Sequence, residues 1–336
     1  MAKFHLYLAS TLFLACMAIA QTTLAPELLP STDVNLIRFV YYPTTNNPFE
    51  IVYNDSDSLE ASNLIPNVPT IILIDGFLSN STNSLMTQNL KATFLSKPGT
   101  KNVIIVDWGA LSGGDTGLLD LSALLATTMY PIVLLNVPPV GKRVAEFIQF
   151  LSLKKGISQS QVWIIGHSLG SHIGGCAGSS SKTLYNQTIN RITGLDPAGP
   201  LYYLSLSDSD MIYKTNAGWV DIYHTGRGGL GDSRTNSGNI DVFVNGGSSQ
   251  PGCANLSPSD PLRTCDHYYS WKYFNDTMTS TNLVGCPCLP TLLFPTCFCQ
   301  NNCSAIGTCP NAAPMGYNAV YGTNGYLFSI DTNTYQ

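Results

Sequence analysis

The run Gly166-His167-Ser168-Leu169-Gly170 stands directly after the apolar stretch Val162-Trp163-Ile164-Ile165. A G-x-S-x-G pattern in that place constrains the fold more than any other feature of the chain. It asks for a strand that turns sharply into a helix, with small residues on both sides because two backbones come close there. Such a turn holds its serine, here Ser168, in a strained conformation at the apex, above the sheet edge. It also sets the next backbone N–H, that of Leu169, where a developing oxyanion would lie. A β-rich apolar run before it and a small-residue helix over residues 173–178 after it supply the context the pattern requires.

The neighbouring segments extend this unit. Short apolar runs at residues 70–74 and 103–106 lack polar alternation, as expected of parallel strands covered on both faces. Residues 83–95 read as a helix between them. A second helix is expected over 141–153, where Val144, Phe147, Ile148 and Leu151 recur with a period near 3.6. Strands follow at 189–195 and 219–223. Alternating strands and helices predict an α/β fold, a mostly parallel central sheet with helices on both faces. Ligands of such sheets bind beyond the carboxyl ends of the strands, and Asp75, Ser168 and Asp196 all stand at such ends.

Composition narrows the setting. Charged residues make up 11% of the chain, the net charge is −5, and no basic stripe exists, so nucleic acid is not an expected partner. Lys3, an apolar stretch over residues 6–19 and Ala18-Ile19-Ala20 have the form of a secretory signal peptide over 1–20. Residues 21–336 then suit a single domain, secreted and extracellular. Ten cysteines are encoded. Eight lie late, at Cys253, Cys265, Cys286, Cys288, Cys297, Cys299, Cys303 and Cys309, a density that reads as disulfides in a secreted chain. The Cys-rich segment 285–310 reads as a stapled loop or extension. Cys176 is expected to be a buried free thiol in a helix–sheet contact. Sequons occur at Asn54, Asn80, Asn186, Asn255, Asn275 and Asn302.

A serine nucleophile needs a base, and the base needs an orienting acid. Past residue 20 the histidines are His167, His172, His224 and His267, and only Ser168's immediate neighbour precedes it. That leaves the chain order Ser-Asp-His. His167 is confined in the turn and His172 lies on the following helix, so His267 and His224 remain, with His267 preferred. Asp196 is the preferred acid, because Asp196-Pro197-Ala198-Gly199-Pro200 stops a strand abruptly at the rim that carries Ser168. Asp208, Asp210, Asp221 and Asp241 read as loop or strand-edge residues. A second oxyanion donor is expected from the loop after an early strand, where Phe77 N–H joins Leu169 N–H.

The segments Gly166 to Gly170, Ile192 to Pro197, Asn245-Gly246-Gly247, Pro251-Gly252-Cys253 and Cys265-Asp266-His267 resemble the pancreatic lipase family, an α/β-hydrolase family. The likeness is strongest to its insect neutral lipase and phospholipase A1 branch. The resemblance implies a Ser168, Asp196, His267 triad, an oxyanion hole of Phe77 and Leu169, and a lid closed by a Cys253–Cys265 disulfide. Three departures stand out. The family usually has His where this chain has Asp75, whose charge would oppose an oxyanion unless neutralised or turned away. The lid between Cys253 and Cys265 is short, and so is the glycine-rich loop from Thr225. No C-terminal β-sandwich is expected.

A short lid leaves room for bulky polar head groups, so the expected activity is a lipid esterase of the phospholipase A1 or galactolipase type. Triacylglycerol lipase is the alternative within that class, and a non-catalytic lipid carrier like the yolk-protein relatives is the alternative outside it. No cofactor or metal is required, no stable protein partner is expected, and the substrate is lipid at a membrane or micelle surface.

Overall fold

The computed structural model describes residues 29–116, 123–202, 207–253, 262–279, 283–290, 297–299, 312–321 and 326–330. The expected signal peptide and most of the lid lie outside them. Twelve strands form one sheet among these residues. They are β1 (Arg38–Thr44), β2 (Asn47–Ile51), β3 (Thr70–Ile74), β4 (Asn102–Asp107), β5 (Val162–His167) and β6 (Arg191–Leu195). The rest are β7 (Trp219–His224), β8 (Ile240–Val244), β9 (Val284–Pro290), β10 (Cys297–Cys299), β11 (Ala313–Pro314) and β12 (Tyr326–Ile330). The order is β10-β9-β12-β8-β7-β6-β5-β3-β4-β1-β2, with β11 on β9. From β12 to β4 every pairing is parallel; β1, β2, β9, β10 and β11 add antiparallel margins.

Four helices matter for the site: α1 (Leu85–Ser96), α2 (Ala123–Lys155), α3 (Leu169–Tyr185) and α4 (Thr264–Thr279). The central strands are apolar throughout because both faces are covered. Ile72 and Ile74 of β3 join one core with Val144, Phe147, Ile148 and Ile173 from α2 and α3. Ile71 and Leu73 join the other with Leu90 and Phe94 from α1 and Phe274 from α4. The chain runs from β3 to its neighbour β4 and then crosses back to β5 on the opposite side of β3. That reversal opens a crevice at the carboxyl ends of β3 and β5, the place where such sheets bind ligands.

The structure corrects four expectations. Helix α2 begins at Ala123, far ahead of residue 141, and contains Pro131, Pro138 and Pro139. An interior proline costs about 3 kcal/mol. Along one face, Met129, Val133, Val137, Val140, Val144, Phe147, Ile148 and Leu151 are all fully buried, at about 1.5–3 kcal/mol each, which outweighs that cost. Cys176 is a buried free thiol, but a Cβ added to Gly141 of α2 would lie 2.3 Å from its Cβ, so it fills a helix–helix contact rather than a helix–sheet one. Asp221 sits within central strand β7, where its carboxylate receives Arg191 at 3.0 and 2.6 Å and the Thr193 hydroxyl at 2.7 Å; Asp241 sits within β8. Finally, the Cys-rich segment is partly strand. Its start forms β9, which pairs with β12, and Cys297–Cys299 pairs with β9 in turn. Cys286 is disulfide-bonded; Cys303 and Cys309 lie outside the described residues.

Candidate active site

Ser168 stands between β5 and α3 with φ 55° and ψ −124°, a conformation that costs about 1–3 kcal/mol and persists only where its surroundings impose it. The glycines on either side show what imposes it. A Cβ on Gly166 would lie 2.2 Å from the Gly170 carbonyl oxygen, and one on Gly170 would lie 2.1 Å from that of Ile74. Only glycine lets β5, α3 and β3 meet this closely. Ser168 itself is 9% exposed.

The loop after β3 closes over it. A Cβ on Gly76 would lie 3.0 Å from Ser168 Oγ and 3.2 Å from the Leu169 nitrogen. Phe77 follows directly. Leu169 N–H is one of the donors a helix leaves unsatisfied at its start. Neither this amide nor that of Phe77 is taken by an acceptor among the described residues.

Asp196 directly follows β6, with φ 43° and no exposed surface. Its Oδ1 accepts N–H bonds from Thr225 at 2.8 Å and Gly226 at 3.1 Å, and its Oδ2 lies 2.6 Å from His267 Nδ1. Gly226 and Gly231 wrap it: their added Cβ atoms would fall 2.7 and 2.5 Å from Oδ2. This explains the glycine-rich composition of the loop after β7. His267 lies in the first turn of α4, 3% exposed. The Cys253–Cys265 disulfide and Asp266, whose Oδ1 accepts the Gln250 N–H at 2.6 Å, fix that turn. Gln250 in turn donates to the carbonyls of Thr225 and Val244, both at 2.9 Å, tying the loop around Asp196 to helix α4. Sequence reading missed Gln250, because nothing local marks a glutamine whose partners come from distant loops.

With Nδ1–H donated to Asp196, His267 keeps Nε2 free to take a proton. Burial, the largest influence, pushes the imidazole below its ordinary value; the Asp196 bond raises it and the neighbouring His167 lowers it. The ring is therefore held as a neutral base. Ser168 Oγ makes no hydrogen bond within the described residues.

The other histidines are engaged elsewhere. His224 stands 2.9 Å from Asp241 and stacks on Phe243. His172 donates to the Ala198 carbonyl at 2.8 Å and accepts the Ile212 N–H at 3.2 Å, and burial takes its pKa down to about 4. Asp75 does not aim its charge into the crevice: its carboxylate is bound by His167, Ser84 and Gly76. No three His, Cys, Asp or Glu side chains converge to hold a metal among the described residues.

Nearly the whole chain, residues 16–327, matches the family model described as Lipase. The chain belongs to the lipase family. It is 32% identical to pancreatic triacylglycerol lipase from Homo sapiens over 324 residues, covering 89% of this chain and 64% of that protein. It is 34% identical to the probable phospholipase A1 magnifin from Vespa magnifica over 242 residues, covering 70% and 68%. Among solved structures, an esterase from Thermogutta terrifontis aligns with TM-score 0.32 and 12% identity over 56% of this chain and 66% of that one. This lipase-family chain thus spans just under two-thirds of the human pancreatic enzyme it matches.

Proposed function

We propose that the protein is a secreted serine esterase that hydrolyses carboxylic ester bonds of lipids, of the phospholipase A1 or galactolipase type. The observation that carries this is the Asp196–His267 contact of 2.6 Å, with the imidazole kept neutral and its ring 4.7 Å from that of His167, the residue before Ser168. In this reading His267 Nε2 takes the proton of Ser168 Oγ as that oxygen attacks the ester carbonyl. Leu169 and Phe77 donate their amides to the resulting oxyanion. His267 then returns the proton to the departing alcohol, leaving an acyl-Ser168. Water repeats the sequence and releases the fatty acid. Asp196 holds Nδ1–H throughout and stabilises the imidazolium.

The head-group preference rests on the lid. Cys253 and Cys265 stand at a sequence separation of 12, too short to cover the crevice with a large apolar flap. A bulky polar head group can then enter, and little apolar surface remains for docking on a triglyceride droplet. No helix among the described residues is long and apolar enough to cross a membrane, in keeping with a protein that meets lipid from the aqueous side.

Purified protein assayed on phosphatidylcholine, galactolipid and triglyceride tests both levels. Release of fatty acid from the polar lipids, abolished in Ser168→Ala, is the expected result. Turnover of triglyceride alone would favour a triacylglycerol lipase. Failure of a fluorophosphonate to label Ser168 would instead mark a lipid carrier.

A further inference from the structure

Asp75 and His167 carry chemistry that the arrangement of Ser168, His267 and Asp196 leaves unused. They follow β3 and end β5, two strands paired with Ile74 opposite Gly166, so the next residues on each meet. Asp75 Oδ1 lies 2.7 Å from His167 Nδ1 and accepts the Gly76 N–H at 2.7 Å; Oδ2 accepts the Ser84 hydroxyl at 2.5 Å. Asp75 is 4% exposed and His167 2%. On its far side His167 Nε2 stands 3.3 Å from the main-chain oxygen of His267. The rings of His167 and His267 are 4.7 Å apart, and the Tyr268 ring lies 5.2 Å from His167.

Both nitrogens of His167 therefore face oxygens that only accept: an ionised carboxylate and a carbonyl. A neutral imidazole has one N–H and one lone pair, so either tautomer would point a lone pair at an oxygen in a dry site. The imidazolium donates to both. Ser84 and Gly76 fill the remaining lone pairs of Asp75, the condition under which a buried ion pair is tolerated. The Tyr268 ring beside His167 suits a cation as well.

We propose that Asp75 and His167 form a buried carboxylate–imidazolium pair. It positions His267 through its main-chain carbonyl and keeps a positive charge beside that base, so that His267 stays unprotonated for Ser168. The inference rests on the reading of Ser168 and His267 as nucleophile and base. His167 and Asp75 are positioning residues; neither touches the reacting atoms. The groups that face His267 are Asp196 from the end of β6, His167 from β5, Asp75 from β3 and Tyr268 from its own helix, with Arg227 of the loop after β7 near Asp196. Of those acting on His267, His167 lowers its affinity for a proton and the two acids raise it. The pairing also keeps Asp75 ionised: burial alone would raise its pKa, but His167, Ser84 and Gly76 together lower it.

Nitrogen-15 NMR of the wild-type protein at pH 7.5 tests the pair directly, with His167 assigned by its absence from the His167→Gln spectrum. Protons on both ring nitrogens are expected; a single protonated nitrogen overturns the proposal. The acid limb of kcat/KM on a soluble ester is the second readout. His167→Gln removes the cation and leaves the Asp75 charge, so the limb moves to higher pH by about one unit. Asp75→Asn moves it in the same direction by less, because the opposing acid goes too. A loss that is equal at every pH means the pair is only structural. Fluorophosphonate labelling of wild-type Ser168 separates the two layers. An inert serine sinks the catalytic reading, whereas a reactive serine with unshifted limbs sinks the pair alone.

Discussion

Asp196→Asn replaces a carboxylate by an amide of the same shape at the centre of the site. The backbone tolerates it, because Asn accepts the positive φ of 43° as readily as Asp does. The chemistry does not. Asp196 receives three N–H donors, from Thr225, Gly226 and His267, on two oxygens. An amide has one oxygen and brings two N–H groups of its own. With its oxygen toward His267, its NH2 opposes two buried main-chain donors, each costing about 1–3 kcal/mol when unsatisfied. With its oxygen toward Thr225 and Gly226, its NH2 faces His267 Nδ1, which must then offer a lone pair. The second arrangement wins, and it moves the ring proton to Nε2, where it blocks transfer from Ser168. The same exchange in a serine-protease triad lowers kcat about 10⁴-fold, or about 5 kcal/mol of barrier, and a loss of that order is expected here. KM on a soluble short-chain ester should change little, since no substrate contact is touched. The measurements are steady-state kinetics on such an ester, the rate of fluorophosphonate labelling, and a thermal melt to show that the variant is folded. A folded Asp196→Asn variant within ten-fold of wild-type kcat would refute the tautomer argument.

Other consequences are as direct. His172 has its pKa taken down to about 4 from an ordinary 6.5, so the unfolded chain binds that proton first as pH falls. Its contribution is intact above pH 6.5 and is lost towards pH 4, by about 3 kcal/mol, a decline that denaturant titrations should find flattened in His172→Gln. Cys253→Ser with Cys265→Ser opens a link of sequence separation 12 and should cost about 3 kcal/mol, read as a lower melting temperature and a shorter activity half-life. Gly170→Ala drives a Cβ to 2.1 Å from the Ile74 oxygen and should destabilise by about 3 kcal/mol or more, with labelling of Ser168 lost. Peptide mapping of protein secreted from eukaryotic cells should find sugar at exposed Asn54 and Asn186. Asn80 should be bare, because its Nδ2 already donates to Gly114 and Asp115.

The parallel core was legible because burial on both faces leaves unbroken apolar runs, as in Thr70–Ile74. The margins were not. β1 and β2 mix Arg38, Pro43, Asn47 and Glu50 among their apolar residues, all four exposed where the sheet ends at β2. β9 is written in Cys and Pro, whose local preference is for turns, and it is made a strand by pairing with β10, β11 and, some forty residues on, β12. In α2 the prolines hid a continuous buried stripe: local cost is visible in sequence, whereas the packing that offsets it depends on α3.

The same division runs through the site. Ser168, Asp196 and His267 could be proposed because each sits where a local rule puts it, at a strand end, a strand stop or a cysteine-pinned turn. What surrounds them follows no local rule. Gln250 links Thr225, Val244 and, through its own N–H, Asp266, contacts that exist only once three loops have converged. Asp75 makes the point most clearly. In sequence it is a negative charge two residues before the oxyanion donor Phe77, and Coulomb's law alone counts it as harmful. In the fold, strand register brings His167, 92 positions away, within 2.7 Å, and the anion is spent on a neighbour. Under the proposed pairing the sign of its effect is reversed, because the cation held beside His267 would keep that ring unprotonated while no bare charge faces the oxyanion. Whether a charge near an active site helps or harms is thus a property of the pair it forms, and that pair is set by the register of β3 against β5.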